Sequence, residues 1–145
     1  MERRTTTTRE TQTFARKLFS ALSDNRARRR ALVFALRGDL GSGKTTFAQG
    51  IAEALGVREP VQSPTFVLMR MYALRRPVAG FQRFVHVDAY RLRHRDAARH
   101  LGLQDIMHDP ATVVVVEWAD RIKELIPQKA RWLTFKHRDK TSRAI

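Results

Sequence analysis

The chain has 145 residues, 43% of them hydrophobic, which is enough for one domain with a real core. It has no cysteine, which excludes disulfides and thiolate metal sites, and no apolar run of membrane-spanning length or signal-peptide core, so a cytoplasmic protein without a membrane partner is expected. Lys and Arg number 28 against 14 Asp and Glu, for a net charge of +14. Such a surplus draws a chain to nucleic acid or to an acidic partner. Arginines scattered along the whole sequence read equally well as solvated faces.

In chain order, residues 1–8, with four threonines at 5–8, are read as an edge strand or a disordered start. Residues 10–22 carry Phe14, Leu18, Ala21 and Leu22 at helical spacing and predict an amphipathic helix. The densest basic cluster, Arg26-Ala27-Arg28-Arg29-Arg30, falls in a predicted loop, without the interleaved aromatics of a single-strand binder. Residues 31–36 are a short apolar run, a buried strand. A glycine-rich loop follows, then a helix over 46–55 that stops at Gly56. Residues 66–72 read as a strand after the turn Gln62-Ser63-Pro64, 75–80 as a loop, and 84–88 as a strand in which Val85 and Val87 alternate against His86. A short helix is expected over 96–101, closed by Gly102. Residues 112–116 are a strand buried on both faces, 119–125 a helix ended by Pro127, and 131–136 a late strand. Strands alternating with helices predict an α/β fold around a mostly parallel central sheet, with 1–145 as a single domain.

The glycine loop is the most informative stretch. Residues 36–50, LRGDLGSGKTTFAQG, hold four glycines, and Gly38-Asp39-Leu40-Gly41-Ser42-Gly43-Lys44-Thr45 matches G-x-x-x-x-G-K-[ST] in full. Between a strand and a helix, such a loop turns backbone N–H groups inward to cradle phosphates, and the following helix aims its positive end at them. Lys44 is expected to be a mobile, solvated positive charge reaching the β- and γ-phosphates, and the Thr45 hydroxyl a ligand for Mg²⁺. A magnesium nucleotide site also needs carboxylates at strand ends. The four valines at 113–116 deliver Glu117, and Phe84-Val85-His86-Val87 delivers Asp88; both follow apolar strands, where parallel sheets bind ligands. Ser63-Pro64-Thr65 offers hydroxyls that fit a switch-like segment or a plain turn. The chain has a single asparagine, followed by Arg26, so the N-K-x-D that reads guanine is missing, and no D-x-x-G occurs; ATP is favoured.

The stretches GDLGSGKTTFAQGIAEALG, VQSPTFVLMRMY, HVDAYRL and VVVVEWADR occur in that order. Over residues 9–143 the chain resembles the bacterial TsaE family, the P-loop ATPase of tRNA threonylcarbamoyladenosine (t6A) synthesis. That resemblance implies a P-loop NTPase-like three-layer sandwich and slow ATP hydrolysis. It also implies action beside TsaD and TsaB, which transfer the threonylcarbamoyl group to adenosine 37 of tRNAs reading codons that begin with A. By the same resemblance, Gly41, Ser42, Gly43, Lys44, Thr45 and Thr46 hold the phosphates, and Thr45 and Glu117 the Mg²⁺. Lys44, Asp88 and Glu117 act in catalysis. Trp118 is the tryptophan beside the metal acid, and Thr65 the switch-like threonine. Glu10 and Thr13 fall where the family's N-terminal segment approaches the nucleotide, and Arg143 matches a late family arginine. The chain departs from the family in Ala119, where proline often follows E-W, in the small Val87, and in its high charge, which leaves direct tRNA contact open.

Two other classes fit the same loop. A small-molecule kinase would need an acceptor pocket and a lid, for which Arg91, Arg93 and Arg95 are candidates, and would yield a phosphorylated product instead of free phosphate. A nucleic-acid-binding module with a regulatory P-loop would bind tRNA with steep salt dependence in the absence of TsaB and TsaD.

Overall fold

The computed structural model describes residues 2–24, 27–64, 68–92, 102–140 and 142–145. The elements are β1 (Arg4–Thr5), α1 (Thr8–Ser23), β2 (Leu32–Gly38), α2 (Lys44–Ala54), β3 (Met69–Val78), β4 (Phe81–Asp88), α3 (Leu103–Met107), β5 (Thr112–Glu117), a 3₁₀ segment (Ala119–Leu125), β6 (Arg131–His137) and β7 (Arg143–Ala144). The strands form one sheet in the order β1-β7-β6-β2-β5-β4-β3. The four central strands, β6-β2-β5-β4, run parallel, and the outer strands pair antiparallel.

The strand sequences explain the layering. Along β2, β4 and β5 successive side chains point to opposite faces, and both faces are apolar. Phe34, Leu36, Phe84, Val113 and Val115 share one core with α1 and α2. Val33, Ala35, Val85, Val87, Val114 and Val116 share the other with α3 and the 3₁₀ segment. This is the three-layer α/β sandwich expected. Phe47 of α2 centres the first core, with ring centroids 5.7 Å from Phe34 and 5.8 Å from Phe135. Among the described residues no helix is long and apolar enough to cross a membrane.

Several elements differ from the sequence reading. Residues 75–78 are not a loop but the second half of β3, displaced in register by an irregularity between Ala73 and Val78. β3 is an edge strand, where exposed arginines and a proline are tolerated. Its connection to β4 is only Ala79-Gly80, both at positive φ, 51° and 84°, the geometry of a tight hairpin. Residues 119–125 form a 3₁₀ segment kinked at Ile122 (φ −127°). At the start of the chain, Arg4–Thr5 is an edge strand paired with β7, and α1 begins already at Thr8. The helix expected over 96–101 and the start of the strand expected at 66 lie outside the described residues; Gly102, at φ 69°, precedes α3.

Candidate functional site

The carboxyl ends of the parallel strands meet around the glycine loop. β2 ends at Gly38, whose φ is 134° and whose added Cβ would lie 2.0 Å from the carbonyl oxygen of Phe135, so no side chain fits. The loop is tied to β6: Asp39 N donates to Phe135 O (3.3 Å), and His137 Nε2 lies 3.1 Å from Leu40 O. Buried Ser42 donates through Oγ to Asp39 O at 2.5 Å and closes the turn. Gly43, at φ 104°, precedes α2, and its position as N-cap offers no side-chain hydrogen bond to the helix's first N–H groups. Gly41, Ser42, Gly43, Lys44, Thr45 and Thr46 thus form one continuous turn into the helix.

Lys44 is the main correction to the sequence reading. It is not solvated but 4% exposed. Its Nζ donates to Gly38 O (2.8 Å) and Asp39 O (2.7 Å) and sits 4.2 Å from the centroid of the Trp118 ring. Burial lowers its pKa from the usual lysine value, against the opposing pull of Glu117, Asp39, Asp120 and Asp88. The ammonium is pre-positioned over the loop by two carbonyls and an aromatic face.

Glu117 ends β5 and is 3% exposed. Thr45 Oγ1 donates to its Oε1 at 2.8 Å, and His86 Nε2 lies 2.6 Å from its Oε2. Asp88 ends β4, in register with Glu117 across the parallel pair. Its Oδ2 accepts from Ser63 Oγ (3.1 Å) and its Oδ1 from Tyr90 N (2.9 Å). Two buried acids therefore stand side by side at adjacent strand ends, one fixed to the P-loop helix and the other to the segment before residue 65. Trp118 follows in a left-handed conformation (φ 56°), which turns its ring back over Lys44; Tyr90 packs on it at 5.0 Å and the Arg121 guanidinium covers Tyr90 at 4.7 Å.

A hard cation that keeps waters and leans on phosphate oxygens needs only one or two carboxylates and a hydroxyl from the protein. The Thr45–Glu117 pair is such an oxygen donor set, beside the loop that would hold phosphates. Among the described residues no cluster of three or more His, Cys, Asp or Glu could hold a metal ion.

The remaining candidates occupy two flanks. Arg143, on β7, lies against Gly43: an added Cβ there would be 3.2 Å from Arg143 Cδ. One guanidinium nitrogen, Nη1, is buried without a hydrogen-bond partner. The first turn of α1 reaches the same spot through Thr11, whose methyl would lie 3.9 Å from that Cβ. Glu10, one residue earlier, is exposed and engaged locally. Its Oε2 accepts from Thr6 N at 2.7 Å and from Thr6 Oγ1 at 3.1 Å, bonds that lower its pKa. Thr13 accepts from Arg16 at 2.9 Å. Thr65 lies outside the described residues. Sequence reasoning missed His86 as the group holding the outer oxygen of Glu117, and Tyr90 and Arg121 as the stack on Trp118. Strand alternation carried the first signal, since it puts His86 on the same face as Asp88.

Comparison with known proteins identifies the chain's family. The family model described as "Threonylcarbamoyl adenosine biosynthesis protein TsaE" matches residues 5–145. The tRNA threonylcarbamoyladenosine biosynthesis protein TsaE of Bacillus subtilis is 39% identical over 113 residues, 78% of this chain and 66% of that protein. The proteins of the same name from Mycobacterium bovis and Mycobacterium tuberculosis are 45% identical over 101 residues, 67% of this chain and 59% of theirs. The match thus spans 59–66% of the length of these curated relatives. The crystal structure of Bacillus subtilis YdiB superimposes with a TM-score of 0.74 at 32% identity, covering 99% of this chain and 81% of that one.

Proposed function

This chain belongs to the TsaE family, and on that premise we propose that it is the Mg²⁺-dependent ATPase of t6A synthesis. In this reading it binds and slowly hydrolyses ATP in the cytoplasm. It works with TsaD and TsaB, which modify adenosine 37 of tRNAs reading codons that begin with A. The observation that carries the reading is the Thr45–Glu117 hydrogen bond at 2.8 Å beside a lysine already held over the P-loop.

The chain's own groups divide the work. Backbone N–H groups from Gly41 to Thr46 receive the phosphates. Lys44 exchanges its two carbonyl contacts for phosphate oxygens, and the carbonyls of Gly38 and Asp39 keep the ammonium from wandering before the nucleotide arrives. Thr45 and Glu117 would hold Mg²⁺, which would screen the phosphate charge. Asp88, tied to Ser63 and to the Tyr90 backbone, orients the attacking water. Trp118 covers the lysine and keeps bulk water from it. Thr65 is proposed to sense the γ-phosphate. The free Nη1 of Arg143 is proposed to reach the nucleotide, and Glu10 to approach it from the first turn of α1.

The test is a reconstitution with the host's TsaB and TsaD. ATP and Mg²⁺ should promote complex formation, free phosphate should be released, and t6A should accumulate on an unmodified tRNA transcript. A phosphorylated small molecule in place of free phosphate would move the chain to the kinase class.

A further inference from the structure

At the end of the sheet opposite the nucleotide site, two stretches distant in sequence converge on one cleft of about 860 Å³. Residues 27–33 lead into β2 and residues 127–131 lead into β6, and these strands are parallel neighbours, so both stretches open at the same sheet end. The cleft lies about 20 Å from the P-loop, the length of a seven-residue strand.

Its charge is of one sign. Arg28, Arg29, Arg30, Lys129 and Arg131 line it, and among the described residues no acidic one does. Arg28 is committed to the fold, donating to Leu22 O at 2.8 Å with its guanidinium 4.5 Å over the Phe81 ring. Arg29, Arg30, Lys129 and Arg131 are exposed and, among the described residues, form no ion pair or hydrogen bond through their side chains. Unpaired cations gathered into a concave surface repel one another and focus a positive potential, an arrangement that an external polyanion relieves.

From this we infer that the cleft is a docking site for the phosphate backbone of folded RNA. RNA is favoured over an acidic protein by the whole-chain field, a net charge of +14 and an isoelectric point near 11.5, which is the electrostatic footprint of nucleic-acid binding. Among the described residues no aromatic side chain lines the cleft, so stacking on bases plays no part in the proposed binding. Recognition is therefore of backbone and shape, independent of sequence. The inference rests on the t6A reading only for its expectation that the natural RNA is tRNA; the cleft is remote from the ATP site and is tested separately from it.

The experiment measures fluorescence anisotropy of two labelled probes, an unmodified tRNA transcript and a short RNA duplex of unrelated sequence, over a range of salt concentrations. Wild type should bind both with similar affinity and steep salt dependence. The variant Arg29→Glu/Arg30→Glu/Lys129→Glu/Arg131→Glu should bind at least about tenfold more weakly. Its slope of log affinity against log salt should be shallower by about three to four, one unit or slightly less per lost phosphate contact. A second version with Gln at the same positions should show the same loss of slope if the Glu version folds poorly. A control carrying Glu at Arg58, Arg75, Arg76 and Lys140, with the same change in net charge, should retain its affinity within about threefold. ATP affinity should be unchanged in all three. Equal losses in the cleft variant and the control would overturn the site in favour of diffuse charge. Polyglutamate displacing the probes as well as unlabelled RNA does would overturn RNA as the occupant in favour of an acidic protein.

Discussion

The two ends of the parallel sheet use charge in opposite ways. At the carboxyl ends of the strands, Lys44, Asp88 and Glu117 are all at most 4% exposed, and each has a named partner. At the amino ends, Arg29, Arg30, Lys129 and Arg131 are exposed and unpaired among the described residues. Buried charges survive only when hydrogen-bonded, and this fixes each to within a fraction of an ångström. Exposed charges cost little, hold no fixed geometry, and act through the field they sum to. One end is therefore built for positioning a small, highly charged ligand, and the other for attracting a large one.

Removing the central cation of the buried end gives the largest expected effect. Lys44→Ala should weaken ATP binding by about ten- to a hundredfold, the value of a charge-assisted hydrogen bond to phosphate. Because the lysine is buried against Trp118 and two carbonyls, the variant should also lose about 1–3 kcal/mol of stability in urea unfolding. An alanine variant with unaltered stability would mean that the carbonyl and indole contacts are not held in solution.

The two acids should separate. Glu117→Ala leaves Thr45 and buried His86 without their common partner, so it should abolish the Mg²⁺ dependence of nucleotide binding and cost about 1–3 kcal/mol of stability. Asp88→Asn keeps one oxygen to accept from Tyr90 N, and its amide nitrogen can donate to Ser63 Oγ in place of the second oxygen that accepted from it, so nucleotide binding should persist while turnover falls by about a hundredfold or more, the scale of a lost general base. Binding and single-turnover hydrolysis measured on both variants check the split; normal turnover in Asp88→Asn would remove that acid from the chemistry.

Indole fluorescence gives a finer reading of the same end. Trp118 lies over Lys44, whereas Trp132 sits on β6 under the Arg37 guanidinium at 5.7 Å. Trp132→Phe should preserve an ATP- and Mg²⁺-dependent emission change, and Trp118→Phe should eliminate it. A signal that persists without Trp118 would detach this residue from the site.

The smallest effect belongs to a paired acid near the other end of the sheet. Asp109 is partly buried, which alone would raise its pKa, but bonds from Ala111 N and Thr112 Oγ1 and the Arg83 guanidinium hold it below the usual 3.8. A depressed carboxylate stabilises the fold above its unfolded pKa and loses that contribution as pH falls through its native value. The stability difference between wild type and Asp109→Asn should therefore be largest near neutrality and shrink below about pH 4, as followed by urea unfolding at several pH values.

The sequence disclosed the parts of the site that are local. The P-loop is a contiguous motif, and Glu117 and Asp88 are marked by the apolar strands that end in them. What it hid depends on distant residues. The burial of Lys44 follows from Trp118, brought over the loop by a left-handed backbone at the end of β5. The pairing of His86 with Glu117 needs the β4–β5 register. Residues 75–78 have the composition of a loop and become strand only because β4 offers an edge. Two-residue strands such as β1 and β7 carry no periodicity at all, yet they bring Arg143 against Gly43. The basic cleft was visible as one arginine cluster, but its second wall, residues 127–131, joined it only through the parallel pairing of β2 with β6.

The most direct test of the central claim is a calorimetric titration of ATP, with and without Mg²⁺, into wild type, Thr45→Val and the cleft variant with Glu at positions 29, 30, 129 and 131. Binding should depend on Mg²⁺ in wild type, be the same in the cleft variant, and lose its Mg²⁺ dependence in Thr45→Val, which keeps the side-chain volume but cannot share a cation with Glu117. Metal-dependent binding that survives in Thr45→Val, or that disappears in the cleft variant, would contradict that claim.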